Sequence, residues 1–442
     1  MRPTPGDTAP LTVMFTALTD SGPQGLQSSA LVTPLTANAP SGSVAVLADA
    51  QREAAVQVIL GPNAGTAKIV IALAGFTSQD TATFTKLPGA AASLTLLPHD
   101  TAVYVGGTVT YRSTTRDREG NPRNDTVSFS PKSPFTGQTI GRSSVTASAA
   151  GFTDTAFISV VPHGTLVASD YSHILMFSLD GTHLRSITSV TSASDLFWSP
   201  SGGQIAYVDY SGGSLFVTDT LGDVSVAAPG GDDYVETPQY SPDGSWLYYT
   251  YVTNGDFQQV WRVKSTDAST AAEFVTSVNA MEPSPSPDGT KLAMLVGVNN
   301  SLVVYDTASG DTATTGATNA LTPVWMPGGS VIAYVMSPSI PAFNFIPGQS
   351  DAGSGPIYLI NANGSGNHQL SAPGATYSSR ITWSADGQWI VARNLKTLVI
   401  DVIQVSSGLT LPLPYTSNWY SPAWQPGSGV SVERVSTHKR HR

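Results

Sequence analysis

The stretch "YSPDGSWLYYTY", residues 240–251, decides the fold. An aromatic residue ends one apolar run, Ser-Pro-Asp-Gly interrupts it, and a second apolar run follows. Proline has no N–H to give to a strand ladder. Asp-Gly favours a tight turn, because Asp bonds nearby backbone and Gly accepts a positive φ. The stretch therefore reads as strand, turn, strand. Alternation sends Trp246, Tyr248 and Thr250 to one side of the second strand and Leu247, Tyr249 and Tyr251 to the other. A strand that is aromatic on both faces suits a sheet covered on both sides, so these rings are expected to be wall rather than site.

The same pattern recurs in "FWSPSGGQIAYV" (197–208), "PSPSPDGTKLAMLV" (283–296), "VWMPGGSVIAYV" (324–335), "TWSADGQWIVAR" (382–393) and "AWQPGSGVSVER" (423–434). The marker residues Trp198, Tyr240, Pro285, Trp325, Trp383 and Trp424 are spaced by 42, 45, 40, 58 and 41. Segments such as "SLFVTDTLG" and "SLVVYDTASG" supply a third strand in each repeat, and a short fourth follows. A period of 40 to 45 residues with about four strands is the signature of a β-propeller. The last marker has almost no chain after it to complete a blade, whereas residues 164–189 supply three strands with no marker before them. The two pieces make one blade, so six blades are expected, sealed by the C-terminal strand pairing with the first segment and leaving no open edge.

Helix signals are nearly absent, and the chain reads as all-β throughout. Before residue 163 a different repeat is visible: "ALAGFTSQDTATFT" (72–85) returns as "SAAGFTDTAFISV" (148–160), with Gly75 and Gly151 separated by 76 residues. That spacing predicts two β-sandwiches, over 1–88 and 89–162. The six-bladed propeller is expected over 163–434, and 435–442, carrying "HKRHR", as a disordered basic tail.

Residues 163–434 resemble the TolB-like propellers built from WD40-like PD40 repeats, through the Ser-Pro-Asp-Gly markers quoted above. The stretches "LADAQREAAVQVILGPNAGTAKIVIAL" (47–73) and "SLTLLPHDTAVYVGGTVTYRSTTRDREGNP" (93–122) resemble bacterial Ig-like (Big) domains. TolB itself carries a mixed α/β domain before its propeller, so this resemblance implies a binding platform and not the Tol-system role. The Ig-like resemblance implies an extracellular, cell-surface or periplasmic protein. It also implies a secretion signal upstream of Met1, because the first unit enters almost directly at "PLTVMFTA".

Composition narrows the function. A net charge of -10 with 12% charged residues disfavours a phosphate-neutralising surface, and with it nucleic acid. No cysteine is present, which excludes disulfides, thiolate metal sites and a cysteine nucleophile. No apolar run reaches the length of about 18 residues that a membrane-spanning helix needs. There is no Gly-x-Ser-x-Gly elbow for a hydrolase nucleophile, and "SPDGSW" departs from the Ser-x-Asp-x-Gly-x-x-Trp spacing of sialidase repeats. The seven histidines show no tight metal-ligand spacing. His173 and His183 flank one strand and read as surface-turn residues.

Candidate binding residues therefore lie in loops. "GGDDYVE" (230–236) brings together Asp232, Asp233 and Tyr234, with Glu236 close behind. The 58-residue spacing contains an insertion, "SPSIPAFNFIPGQSDAGSG" (337–355), whose Phe343 and Phe345 would be unusual to leave without a partner. In a propeller this insertion shares a rim with "GGDDYVE", "GATYSS" and "YTSNWY", the last supplying Trp419 and Tyr420. No catalytic residue, metal or cofactor is expected. The expected function is a non-enzymatic binding protein whose propeller face meets a protein or a cell-surface polysaccharide. Two alternatives stand beside it: a structural subunit of a surface layer or filament, self-associating through its Ig-like units, and a polysaccharide-active propeller enzyme.

Overall fold

The computed structural model describes residues 12–19, 25–28, 43–47, 56–59, 64–73, 77, 79–209, 211, 213–228, 234–253, 257–265, 272–276, 279–338 and 353–427. Every regular element among them is a strand. The chain divides into two compact units: Met1–His99 with Tyr111–Ser133 and Val145–Ala156, and Asp100–Thr110 with Pro134–Ser144 and Phe157–Arg442.

In the first unit, Thr12–Thr19 lies between Ser43–Leu47 and Gly65–Leu73, and Gly65–Leu73 pairs in turn with Gln79–Lys86. All of these pairings are antiparallel. A second sheet sets Arg112–Asp117 between Ala91–Leu97 and Pro122–Arg123. Its turn is organised by Asp117, which accepts hydrogen bonds from the backbone N–H of Gly89, Glu119 and Asn121 and from the Asn121 amide. Burial works against this carboxylate, but those donors outweigh it and hold Asp117 at about 2.

Among the described residues the second unit contains six antiparallel sheets built mostly from strands consecutive in sequence. Five start from inner strands ending at the sequence markers: Ala193–Trp198, Tyr234–Tyr240, Ala280–Pro285, Ala320–Trp325 and Tyr377–Trp383. They are called the first to fifth sheets here. In the sixth, Tyr420–Trp424 pairs with Thr165–Ser169, matching Leu166 with Trp424 and Val167 with Ala423. His173–Ser178 and Arg185–Ser189 complete that sheet. Inner strands touch from each sheet to the next, and Tyr420–Trp424 touches both Tyr377–Trp383 and Ala193–Trp198.

The markers work as the sequence suggested. Leu247 and Tyr249 pack into a core with Leu215 and Val217 of the first sheet. Tyr248, on the opposite face, packs with Leu292, Met294 and Val303 of the third. Burying each such side chain contributes roughly 1.5–3 kcal/mol. The Trp198 indole donates to the Ala423 carbonyl (3.2 Å) and the Trp383 indole to that of Val324 (3.0 Å), so a marker ring also ties one sheet to the one before it.

Serine does more in the turn than the sequence suggested. The Ser241 hydroxyl donates to Asp243 (2.5 Å) and accepts the N–H of Trp246 (2.9 Å), closing the turn on both sides. Ser286 with Asp288 and Ser384 with Asp386 repeat this arrangement. The Ser241 and Ser245 bonds hold Asp243 at about 2.

Candidate functional site

Each inner strand carries a bulge, where the register shifts between Ser194 and Phe197, Glu236 and Gln239, Met281 and Ser284, Leu321 and Val324, and Tyr377 and Ile381. In the sixth sheet the shift lies opposite Val167 and Ser169. A bulge re-aims the side chain at the extra residue. Three residues before each marker stand Asp195, Thr237, Glu282, Thr322, Arg380 and Ser421. Five of these six adopt a left-handed backbone, with φ of 54°, 50°, 54°, 42° and 48°; Arg380 does not. Non-glycine residues in that region cost of order 1–3 kcal/mol each and persist where the surroundings fix them, typically at functional positions.

The six side chains form one network. The Ser421 hydroxyl accepts the N–H of Asp195 (3.3 Å) and bonds the Ser194 hydroxyl (2.9 Å). Asp195 in turn accepts the N–H of Thr237 (3.0 Å). The Thr237 hydroxyl meets that of Thr250, which accepts the N–H of Glu282 (2.8 Å). Glu282 accepts the N–H of Thr322. Four of the strained residues, Asp195, Thr237, Glu282 and Thr322, thus have the amide capped from the preceding sheet. Arg380 spans the group: its Nε pairs with Asp195, and its Nη1 donates to Thr322 (3.1 Å) and lies 3.8 Å from Glu282.

Charge is unbalanced here, with Asp195, Glu236 and Glu282 gathered around one guanidinium. Asp195 is fully buried, and the Arg380 side chain is only 9% exposed. Burial, and then repulsion by Asp195, push the Glu236 carboxyl up to about 8. Burial also raises Glu282, against the pull of Arg380. Among the described residues no group of three His, Cys, Asp or Glu side chains is arranged to hold a metal ion.

Of the residues expected from sequence, Asp232, Asp233, Phe343, Phe345 and the 435–442 tail lie outside the described residues. Tyr234 opens the second inner strand, half-buried, and Glu236 follows it in that strand rather than in a solvated loop. Tyr420 opens the sixth inner strand; its ring meets that of Tyr171 at a tilt (centroids 4.2 Å) and lies under the Arg393 guanidinium (4.1 Å). Trp419 packs against Phe177 (4.8 Å) and is partly buried, which leaves less of it for a partner. His173 and His183 have separate partners, Asp170 for the first and Thr182 and Ser178 for the second.

The insertion returns to the inner strands: Ser354–Gly355 pairs with Tyr377 and Ser378. A Cβ on Gly355 would sit 1.9 Å from the Met336 carbonyl oxygen, so only glycine allows this passage.

The bulge residues were not singled out from sequence, although a signal exists. Four of the six precede proline, in Thr237-Pro238, Glu282-Pro283, Thr322-Pro323 and Ser421-Pro422. A proline inside a buried strand is tolerated at a bulge, where no ladder bond is lost.

Six repeated sheets with touching inner strands are the arrangement against which other proteins can be compared. Solved structures similar to this chain include TolB proteins. TolB from Acinetobacter baumannii aligns at 17% identity over 59% of this chain and 66% of its own, with a TM-score of 0.47. A protein assigned as TolB from Agrobacterium tumefaciens aligns at 15% identity over 57% of this chain and 88% of its own, with a TM-score of 0.44. By sequence, an uncharacterised protein of Agrobacterium fabrum is 28% identical over 100 residues, which are 22% of this chain. The matched region spans about a third, 34%, of that relative's length. No family model matches the chain.

Proposed function

We propose that the protein is a non-enzymatic binding protein of the bacterial envelope or exterior. In this reading the second unit is a six-bladed propeller closed by Tyr420–Trp424 on Thr165–Ser169, and the preceding strands form Ig-like spacers. The partner, a protein or a cell-surface polysaccharide, seats on the face where the inner strands begin. The observation that supports this most is the set of six inner-strand bulges, which gather Asp195, Thr237, Glu282, Thr322, Arg380 and Ser421 into one strained polar network. Tyr234 and Tyr420 begin two of those strands, and the return of the insertion joins a third, so the expected rim and this network share an end of the sheets.

The test is capture from envelope extracts by the full chain, by a Tyr234→Ala/Tyr420→Ala variant, and by a variant with residues 339–352 replaced by a short Gly-Ser linker. The proposal expects a discrete protein or polysaccharide to be retained by the parent and lost from at least one variant. Equal capture by all three would remove this face from the account.

A further inference from the structure

Each of the six sheets ends in an outer strand, and five of those edges are guarded against pairing with another chain. Glu273–Phe274 and His368–Gln369 are two residues long, and Thr312–Thr314 is three. Thr410–Leu413 contains Pro412, which has no N–H, and the Ser159 hydroxyl donates to its carbonyl (2.7 Å). Arg185–Ser189 begins on a charged residue and is crossed by the turn at Gly222, where a Cβ would lie 2.5 Å from the Ile187 carbonyl oxygen.

The outer strand of the first sheet, Val224–Ala228, lacks these guards. It is five residues long, carries neither proline nor charge, and among the described residues pairs only with Ser214–Asp219. Ala227 and Ala228 turn into the core at a bulge, but Val224 is 45% and Val226 43% exposed, with Ser225 exposed between them. The phase of the ladder decides which backbone groups this edge offers. The Asp219 N–H donates to the Asp223 carbonyl (3.1 Å), so by antiparallel alternation Val217 and Ser225 form the next bonded pair. The N–H and C=O of Val224 and Val226 therefore point away from the sheet. Val-Ser-Val reads the same in both directions, so this edge is complementary to a second copy of itself.

We propose that the protein self-associates through Val224–Val226, the first sheets of two copies pairing edge to edge, antiparallel, about a two-fold axis at Ser225. Val224 of each copy then faces Val226 of the other and exchanges both main-chain hydrogen bonds with it. The valines of both copies line one face, and Phe216, the partner of Val226 in its own sheet, continues that apolar strip. Asp223 falls opposite Ala227 of the other copy. The two Asp223 carboxylates are then offset along the ladder by about 14 Å, beyond the screening length of about 8 Å. A chain of net charge -10 thus brings no like charges face to face in this ladder. The contact is at the small end of specific interfaces, so the dimer forms by mass action as concentration rises.

The experiment uses the full chain, which has no cysteine of its own. Sedimentation velocity over about 5 to about 500 µM should show the parent moving from monomer toward dimer. Val224→Lys puts a charge on an exposed edge position and should return the protein to monomer with its melting unchanged. Ser225→Cys places a thiol on the axis, opposite its own copy in a non-bonded pair with Cα atoms about 4.5 Å apart, within disulfide reach. Under mild oxidation it should form a covalent dimer at least about tenfold faster than Ala313→Cys, on the exposed three-residue outer strand of the third sheet. A parent that stays monomeric throughout, a dimer that survives Val224→Lys, or equal crosslinking of the two cysteine variants would overturn the proposal. So would a monomeric parent whose Ser225→Cys variant crosslinks instead to another protein of an envelope extract, which would assign the edge to a foreign strand. The first outcome is read on the parent protein, so the test survives a variant that folds poorly.

Discussion

Replacing Arg380 with Gln removes the cation that pairs with Asp195 while keeping a similar length and one amide donor. Asp195 is then a fully buried carboxylate without its ion pair, and Thr322 loses the 3.1 Å bond from the guanidinium. Breaking a buried pair from one side costs about 3–5 kcal/mol, because the remaining charge stays desolvated. The lost bond to Thr322 adds about 1 kcal/mol, which the glutamine amide offsets in part. The expected loss is thus about 3–5 kcal/mol in the unfolding transition of the second unit, read by urea denaturation with tryptophan fluorescence. The companion variant Arg380→Gln/Asp195→Asn removes the orphaned charge and keeps a carbonyl to accept the Thr237 N–H. It should recover about 2 kcal/mol relative to the sum of the single changes. A cost below about 1 kcal/mol for Arg380→Gln, or strict additivity in the double variant, would refute the view that this pair ties the sheets.

Other expectations are more local. Trp383→Phe should cost about 1–2 kcal/mol, because it orphans the Val324 carbonyl. Trp325→Phe should cost less, since the Trp325 indole N–H has no hydrogen-bond partner among the described residues; thermal melts of the two variants compare them. Gly364→Ala should destabilise by about 1–3 kcal/mol, because its φ is +84° and a Cβ would lie 2.5 Å from the Thr315 carbonyl oxygen; denaturation curves read this directly. Asp243 is held at about 2, below its usual 3.8, so the stability it contributes is present above 3.8 and is lost as pH falls through about 2. Ser241→Ala, which removes the strongest of its donors, should move that acid limb toward higher pH in melting curves.

How far the sequence was legible depended on what each residue does locally. Ser-Pro-Asp-Gly and the alternation after it specify turn and strand within twelve residues, so Tyr240 to Tyr251 could be placed before any contact was known. Leu247 and Tyr248 then fell to opposite cores as alternation requires. The polar network was not legible in the same way. Asp195 and Arg380 are 185 residues apart and meet through side chains alone, a pairing that no local pattern encodes. Glu236 looked like part of an acidic loop because "GGDDYVE" is continuous in sequence, yet the strand begins at Tyr234 and carries Glu236 inward. Trp419 looked like a rim aromatic because its neighbours are polar, while Phe177, far away in sequence, covers it. The prolines after Thr237, Glu282, Thr322 and Ser421 were readable as bulge signals, but only once the repeats are aligned by their markers.

Ring closure is the claim on which the rest depends, and the chain's lack of cysteine makes it directly testable. Val167 and Ala423 are matched partners across the strands Thr165–Ser169 and Tyr420–Trp424, with side chains on the same face. Cysteines placed at both positions should form an intramolecular disulfide under mild oxidation, seen as faster non-reducing migration of the monomer and loss of both free thiols. Two thiols that stay free under oxidation in protein melting like the parent would contradict closure of the propeller through its last strand.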